Sequence, residues 1–357
     1  DLDAFPTRRS SDLKENDPLI TLETEKAAMD VPSIATGEVE SINVKSGDKV
    51  SEGDIIAEIS VDSLIESELE NQNDREASNS EAEYDLVVIG AGPGGYAAAF
   101  RASDLGLKVA LIDRNPVLGG VCLNVGCIPS KAFLHAAKVI EDSSEASKAG
   151  IHFKDLKIDL EKMKDWKDGI IGGLTSGLES LAKQRQVDCF QGDASFTSNQ
   201  ELHVSSGDKK QQITFKYAVI AVGSEPASLD FMPNDPRVID STGALDPEII
   251  PKKILIIGGG IIGLEMATIY SALGSGVTVV ELMEELMTGT DKDLVKPLER
   301  YLSERCDDIY KSTKVLSAEA NDEGISVSFE SDGARQTEAF DKVLVAKIGR
   351  ASCRERV

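Results

Sequence analysis

The distribution of apolar residues predicts two copies of one supersecondary unit in the second part of the chain. Leu86–Ile89 and Ile254–Ile257 are short, continuously apolar runs, the pattern of strands inside parallel sheets. Each run leads into a glycine-rich segment, a stretch of helical length, and a second strand that ends at an acid, Asp113 or Glu281. This alternation of strands and helices predicts an α/β fold with two doubly wound, Rossmann-like domains.

The first 62 residues carry a different pattern. Glu15–Glu23 and Glu52–Ile59 resemble each other, and each combines a polar turn with a short alternating strand. Residues 14–62 therefore predict part of a small all-β sandwich, with Lys26 at a hairpin between the half-repeats. Residues 63–83 are rich in Ser, Asn, Asp and Glu and predict a flexible linker, because they offer too little apolar surface to stabilise a fold.

The domain boundaries follow from these changes of pattern. We expect one dinucleotide-binding domain over residues 84–240 and a second over residues 241–347. The segment from Ile140 to Lys183, inside the first of these domains, is expected to be largely helical.

The two ends of the chain have an unusual relationship. Back-translation of Phe5–Leu13 and of Ile348–Glu355 gives opposite strands of one short nucleotide sequence, which resembles a sequencing adapter. Residues 1–13 and 348–357 are therefore predicted to be adapter-like artefact sequence and are set aside from fold reasoning. Cys353, which lies among them, is given no functional meaning.

Composition and charge exclude several classes of function. The formal net charge is −24, which disfavours nucleic acid and anionic membranes as partners. The sequence holds no apolar run of the length that crosses a bilayer, and no basic-then-apolar leader opens it. We expect a cytoplasmic protein with neither nucleic-acid nor membrane partners.

Both glycine-rich segments have the chemistry of dinucleotide binding. In each, G-x-G-x-x-G lies between a strand and a helix, and the acid follows the first glycine by 23 residues. The glycines permit a tight turn, close approach of a pyrophosphate and close packing of the helix, whose N-terminus attracts phosphate. Asp113 and Glu281 are expected to bind a ribose, and an acid at position 281 favours NAD over NADP. The predicted nucleotide-binding glycines are Gly90, Gly92, Gly94, Gly95, Gly258, Gly260 and Gly263.

Two cysteines follow the first unit closely. Cys122 and Cys127 are separated by four residues, whereas Cys189 and Cys306 are scattered. A zinc site would need a second Cys/His pair, and the sequence offers none, so we expect no metal. A two-electron disulfide beside a flavin fits the pair better, since a helix N-terminus favours the thiolate that exchanges disulfides.

The segment Cys122-Leu-Asn-Val-Gly-Cys-Ile-Pro-Ser-Lys131 resembles the redox signature of the pyridine nucleotide–disulfide oxidoreductases, and specifically of their dihydrolipoamide dehydrogenase group. The resemblance covers about Tyr84 to Ala346 and implies FAD in the first domain and NAD in the second. It implies that Cys122 exchanges disulfides with dihydrolipoamide and that Cys127 faces the flavin as a thiolate. Lys131 is implied to approach the flavin and to pair with Glu265.

Further positions are implied by the same resemblance. Gly223 and Ser224 match a loop near FAD, and Val315 and Ala346 fall where relatives approach the nicotinamide cofactor. Residues 14–62 resemble a lipoyl domain (a barrel-sandwich hybrid), in which the lysine of Glu-Thr-Glu-Lys-Ala, here Lys26, carries lipoic acid. The implied partners are lipoyl-bearing acyltransferase subunits of 2-oxo acid dehydrogenase complexes, with a homodimer at full length.

Some parts of the family pattern are missing from this sequence. The family's catalytic base is a His in an H-x-x-x-x-E setting, lent by the partner subunit, and His135, His152 and His203 all lack that setting. Lys347 interrupts the run usual in relatives just before the adapter-like end. We therefore expect the chain as given to be inactive alone. Open alternatives are a glutathione- or mercuric-reductase-like enzyme, or a lipoyl carrier with an inert flavin domain.

Overall fold

The computed structural model describes residues 82–347 except 155 and 332, and residues 350–351. Before residue 82 it describes the ranges 2–6, 12–13, 18–23, 28–32, 37–44, 48–50 and 56–60. The chain divides into two compact units, Asp1–Glu81 and Ala82–Val357, and each is described by itself.

The first unit consists of two β-sheets among its described residues. A four-stranded antiparallel sheet has the order β4-β3-β1-β6, and a three-stranded sheet has the order β2-β5-β7. The hairpin of β3 and β4 pairs Glu23 with Ala28, so Lys26 falls in the intervening segment 24–27, outside the described residues. The strands are β1 (Leu2–Pro6), β2 (Asp12–Leu13), β3 (Pro18–Glu23), β4 (Ala28–Pro32), β5 (Gly37–Ile42), β6 (Asp48–Val50) and β7 (Ala57–Ser60).

The second unit begins with a six-stranded sheet of order β10-β9-β8-β13-β12-β11. Its first four strands are parallel, and the central strands β8 and β9 are the ones with continuous, buried apolar runs; the last two strands join antiparallel. Its strands are β8 (Tyr84–Ile89), β9 (Val109–Asp113), β10 (Asp188–Gln191), β11 (Asp193–Ser198), β12 (Glu201–Ser206) and β13 (Lys209–Ile220). Its helices are α1 (Pro93–Asp104), α2 (Gly120–Val125), α3 (Cys127–Glu145) and α4 (Leu160–Gln184), with a 3₁₀ turn at Ala146–Ala149.

A second parallel sheet follows, with the order β15-β22-β16-β17-β18. A three-stranded antiparallel sheet of β19, β20 and β21 packs beside it, and β14 pairs with β23. The strands are β14 (Ser224–Glu225), β15 (Val238–Ile239), β16 (Lys253–Ile257), β17 (Gly276–Val280), β18 (Asp308–Tyr310), β19 (Thr313–Asn321), β20 (Gly324–Ser331), β21 (Ala334–Phe340), β22 (Lys342–Val345) and β23 (Arg350–Ala351). The helices are α5 (Ser241–Ala244), α6 (Ile261–Ala272) and α7 (Lys292–Ser303).

The predicted fold class is confirmed, with two Rossmann-like units after an all-β segment. The helical prediction for Ile140 to Lys183 holds for α3 and α4, but residues 150–154 and 156–159 between them lie in no helix. β1, β2 and β23 fall on the terminal segments assigned to adapter sequence; their backbone pairing does not bear on the origin of those residues, which stays a prediction.

Candidate active site

The first glycine-rich turn is shaped by two close backbone contacts. Gly90 has φ +100°, and a Cβ placed there would lie 2.2 Å from the Ala221 carbonyl oxygen. A Cβ on Gly95 would lie 1.7 Å from the carbonyl oxygen of Gly90. Both positions therefore require glycine, because α1 could not otherwise approach β8 and β13 so closely.

The second turn repeats this geometry 168 residues later. Gly258 has φ +118°, with the Ala346 carbonyl oxygen 2.8 Å from an added Cβ. An added Cβ on Gly263 would lie 1.9 Å from the Gly258 carbonyl oxygen. Ala346, predicted near the nicotinamide cofactor, thus lies beside the turn that opens α6.

The two strand-end acids hold their glycine turns in the same way. One carboxylate oxygen of Asp113 accepts from the Ala91 N–H at 2.7 Å, and the other accepts from the Asn115 N–H at 2.8 Å. Glu281 accepts from the Gly259 N–H at 2.6 Å and from the Met283 N–H at 2.8 Å. The Asp113 oxygen that accepts from the Asn115 backbone also accepts from the Asn115 side-chain amide at 3.0 Å. The Asp113 oxygen that bonds Ala91 and both oxygens of Glu281 keep a lone pair that can accept from a ribose.

Open space at both helix N-termini fits a dinucleotide. A Cβ on Gly94, at the start of α1, or on Gly260, just before α6, would meet nothing within 4 Å. These positions leave room where the N–H groups of the first helical turn have no partner within the helix. We call the open space at Gly94 the first cradle and the open space at Gly260 the second cradle. Each lies at the positive end of a helix, which suits a pyrophosphate. The residues present therefore fit a dinucleotide at each turn.

The cysteine-bearing segment packs directly on the first turn. Gly120 has φ +59°, and a Cβ there would lie 2.5 Å from the Cα of Gly92. The Gly119 N–H donates to the Ala91 carbonyl at 2.9 Å. Only glycine tolerates this approach, and it places α2, with Cys122, next to the first nucleotide cradle. Sequence reasoning missed this role, although the Gly-Gly pair before the cysteines was a visible signal.

The two cysteines lie together at the junction of α2 and α3. Cys127 is exposed at the first position of α3, and Cys122 is half-buried. The pKa of Cys122 is raised, first by a side-chain hydrogen bond with Cys127 and then by burial, while a hydrogen bond from the Cys127 backbone and, after it, the charge of Lys131 oppose the shift. The two sulfurs thus lie within hydrogen-bonding reach of each other.

Lys131 and Glu265 form an ion pair between α3 and α6. Lys131 lies one turn after Cys127, and Glu265 lies one turn inside the helix that opens the second cradle. The Lys131 side chain is 58% exposed, whereas that of Glu265 is 19% exposed. The pair connects the cysteine helix to the helix of the second nucleotide unit.

The remaining predicted positions lie further from this centre or in its packing. Gly223 (φ +72°) and Ser224 are exposed at the carboxyl end of β13. The Val315 side chain is buried among Leu255, Val280 and other core residues, so its backbone would have to make any nucleotide contact. Lys26 lies outside the described residues.

A polar contact supporting the cysteine segment also escaped sequence reasoning. Asn124, between the cysteines, donates to the Leu118 and Gly120 carbonyls, each at 3.1 Å. Its side-chain oxygen lies 3.5 Å from the Thr175 hydroxyl on α4. An asparagine inside a short helix gave no signal of this function in the sequence.

Comparison with known proteins places the second unit in a family. Residues 84–354 match the model for pyridine nucleotide-disulphide oxidoreductases, which is three quarters of the chain, and the chain therefore belongs to that family. Residues 9–59 match the model described as biotin-requiring enzyme, the biotin/lipoyl domain. The membership agrees with the resemblance drawn from the cysteine segment.

The curated relatives and solved structures agree with this placement. The chain is 47% identical to the dihydrolipoyl dehydrogenases of Vibrio cholerae and Haemophilus influenzae, over 76% of this chain and 57% of each relative. It thus spans little more than half their length. The HOCl-induced flavoprotein disulfide reductase RclA of Escherichia coli matches at 26% identity and TM-score 0.63, over 75% of this chain and 57% of that chain. Among the described residues, no helix has the length and apolarity to cross a membrane.

Proposed function

We propose that this chain is the FAD- and NAD-binding part of a dihydrolipoyl dehydrogenase, which oxidises protein-bound dihydrolipoamide to lipoamide. The observation that carries the proposal is the pairing of Cys122 with Cys127 at the N-terminus of α3. This pair lies against the first nucleotide turn through Gly120 and is linked to the second through Lys131 and Glu265. One centre thus adjoins both cradles.

The cysteines perform the exchange with the dithiol. A substrate thiolate attacks the Cys122 sulfur of the Cys122–Cys127 disulfide, and Cys127 leaves as a thiolate. The second substrate thiolate then attacks the substrate sulfur bound to Cys122, which releases the cyclic disulfide and the Cys122 thiol. Two electrons pass to the cysteine pair; of the two protons that the dithiol loses, one is taken up by Cys122 as it is released and the other by the base that the family resemblance implies. Cys127 suits the leaving role, because it lies at a helix N-terminus with Lys131 one turn away.

The residues would hold two dinucleotides. FAD would bind at Gly90, Gly92, Gly94, Gly95 and Asp113, with Gly223 and Ser224 nearby. NAD would bind at Gly258, Gly260, Gly263 and Glu281, with Val315 and Ala346 nearby. Bound flavin supplies two-electron transfer between the cysteine pair and the nicotinamide.

A spectrum tests the cysteine assignment. Cys122→Ser and Cys127→Ser variants should both load FAD, but a long-wavelength band from a flavin-facing thiolate should remain only in Cys122→Ser. A band confined to Cys127→Ser would reverse the two roles. Failure of both variants and the parent to bind flavin would support the alternative of a lipoyl carrier with an inert flavin domain.

The lipoyl match supports a second part of the proposal, in which Lys26 carries lipoic acid and the partners are lipoyl-bearing acyltransferase subunits of 2-oxo acid dehydrogenase complexes. Intact-mass analysis of the complete reading frame, expressed in a host with active lipoylation, should show one lipoyl adduct. The Lys26→Arg variant should lack it. An unmodified parent would contradict the carrier role.

None of the chain's three histidines, His135, His152 and His203, has the H-x-x-x-x-E setting of the base that the family resemblance implies, and the resemblance assigns that base to a partner subunit. We therefore propose a cytoplasmic homodimer for the complete protein and an inactive fragment for residues 1–357 alone, since dithiol oxidation needs a proton acceptor. NAD-linked lipoamide activity of both should be measured at equal protein. Fragment activity within tenfold of the complete protein would contradict this account. A glutathione- or mercuric-reductase-like activity would show as preference for those substrates.

A further inference from the structure

The helix that carries Cys127 packs in the core of the second nucleotide unit. Along the chain, α3 follows the first nucleotide turn and strand β9. Its residue Phe133 is nevertheless fully buried in one cluster with Leu264 of α6, the helix that follows the second turn. Leu134 and Ile140 pack against the same cluster. The position of the cysteine helix is therefore set by the unit that holds the second cradle.

Polar contacts fasten this helix near both ends. Near its start, Lys131 pairs with Glu265. Near its end, Glu141 accepts from the Tyr301 hydroxyl at 3.1 Å and forms an ion pair with Arg305. The Arg305 guanidinium lies 3.7 Å from the centre of the Tyr301 ring. Both carboxylate oxygens of Glu141 are thus used by residues from α7 and the turn after it.

The Glu141 cluster is well shielded for a charged group at a helix surface. The Glu141 side chain is 16% exposed and that of Arg305 is 26% exposed. The pKa of Tyr301 is raised, first by burial and then by its hydrogen bond to Glu141. Removing the carboxylate would leave two poorly solvated donors without their acceptor, so α3 and α7 would separate or rearrange.

We propose that Glu141 is a positioning residue, which holds α3 so that Lys131 stays on Glu265 and Cys127 keeps its electrostatic surroundings. The role rests on the proposed function, because it matters only if Cys127 is redox-active. Ten residues of rigid helix, about 15 Å, separate Glu141 from Lys131, so Glu141 acts through the helix rather than by its own field.

The expected direction follows from the Lys131–Glu265 pair. In the native arrangement, Glu265 offsets the positive charge one turn after Cys127. If α3 shifts away from α6, the ammonium of Lys131 loses its partner and favours a nearby thiolate more strongly. Among the described residues, Cys122 hydrogen-bonds with Cys127, Lys131 lies one turn after Cys127 on α3, and Glu265 pairs with Lys131.

The test is the pH profile of Cys127 alkylation in the full, flavin-free chain carrying Cys122→Ser. The rate of iodoacetamide modification is read by mass spectrometry of the peptide that ends at Lys131. Glu141→Gln should lower the pH midpoint of alkylation by about half a pH unit. Glu265→Gln should lower it at least as much, and Glu141→Gln should add nothing in that background, because both act on one pair.

Three comparisons keep the outcome decisive. Asp142→Asn removes the same charge at the next position, where the carboxylate pairs with exposed Lys138, and should leave the midpoint unchanged. Tyr301→Phe should give a smaller shift in the direction of Glu141→Gln. Cys189, in β10, should keep its parent rate in every variant.

An unchanged midpoint in Glu141→Gln, an additive shift with Glu265→Gln, or a parallel rise in Cys189 alkylation would overturn the positioning role. These readouts use no flavin and no turnover. Their failure would therefore leave the flavin band of the cysteine variants as a separate test of the proposed function.

Discussion

The two glycine-rich turns of this chain make the same backbone hydrogen bonds, but different side chains surround them. Gly90 and Gly258 donate their N–H groups to Ile112 and Val280, at 2.7 and 2.8 Å. In both copies, the residue after the first glycine, Ala91 or Gly259, donates its N–H to the strand-end acid. Its carbonyl accepts from the N–H of the residue 28 positions later, Gly119 or Met287. The same backbone hydrogen bonds therefore occur in both turns, and all equivalent positions are 168 residues apart.

The copies differ where side chains leave the common backbone. Position 97 is Ala in α1, whereas the equivalent position of α6 is Glu265, which reaches Lys131. Gly119 accommodates φ +110° before the cysteines, but its equivalent, Met287, holds φ +52° with a full side chain. The shared backbone thus provides two cradles, while a few side chains decide which cradle lies beside the cysteine pair and which one supports it.

The largest expected effect separates packing glycines from cradle glycines. Gly95→Ala and Gly263→Ala should each destabilise the fold by about 3 kcal/mol or more, because the new Cβ meets a carbonyl oxygen within 2 Å. Gly94→Ala and Gly260→Ala, where space is open, should keep the parent's thermal unfolding but weaken FAD or NAD binding, respectively. Equal unfolding temperatures across all four variants would show that the glycines share one role.

A second prediction sharpens the difference between the strand-end acids. The complete protein should prefer NAD over NADP by about a hundredfold in kcat/KM, since Glu281 would repel the added phosphate. Glu281→Gln should narrow that ratio, while Asp113→Asn, at the equivalent position of the first copy, should leave it unchanged. Equal efficiency with both cofactors in the parent would contradict the assignment of the second cradle.

A third prediction concerns thiol reactivity outside the site. Burial, and secondarily the charge of Asp307, raises the pKa of Cys306 to about 11. Its thiol therefore stays protonated at neutral pH, and its alkylation should climb only as the pH approaches that value. Exposed Cys127, at a helix N-terminus, should react first across neutral pH in the Cys122→Ser chain. Faster alkylation of Cys306 at pH 7 would contradict the structure.

The smallest expected effect concerns Gly119 and Met287, the equivalent positions of the two turns that both have a positive φ. Met287→Gly should change the free energy of unfolding by no more than about 1 kcal/mol. Glycine removes the strain of the left-handed backbone, which stabilises the fold, but it also removes packing and makes the unfolded chain more flexible, which destabilise it by a similar amount. Gly119→Ala should destabilise more, since its Cβ would lie 2.7 Å from the Leu123 Cβ. Urea unfolding of both variants would settle the order; a reversed order would show that the turns are not equivalent.

Sequence patterns predicted the fold and most of the centre, for reasons visible in particular residues. Continuous apolar strands and the spacing from Gly90 to Asp113 are local signals of the turn that they form. The cysteine spacing was equally local. The Lys131–Glu265 pairing came only from family resemblance, because 134 residues separate the two in the chain.

What the sequence could not give depends on packing between distant segments. The polar cluster of Glu141 joins residues about 160 positions apart, and each of its members alone has the pattern of a solvated helix face. Phe133 is buried in the core around the second parallel sheet, and this contact also joins residues that are far apart in the chain. The buried side chain of Val315 is equally invisible in the sequence, and the nucleotide contact implied for that position stays a prediction.

The most direct test of the central claim is NAD-linked oxidation of dihydrolipoamide by the complete reading frame, with parent, Cys122→Ser and Cys127→Ser proteins compared at equal flavin content. We expect steady turnover in the parent and a loss of at least about a thousandfold in each variant, because neither cysteine alone can form the disulfide that accepts the electrons. Turnover within tenfold of the parent in either variant would contradict it, since electrons would then reach NAD without the Cys122–Cys127 pair.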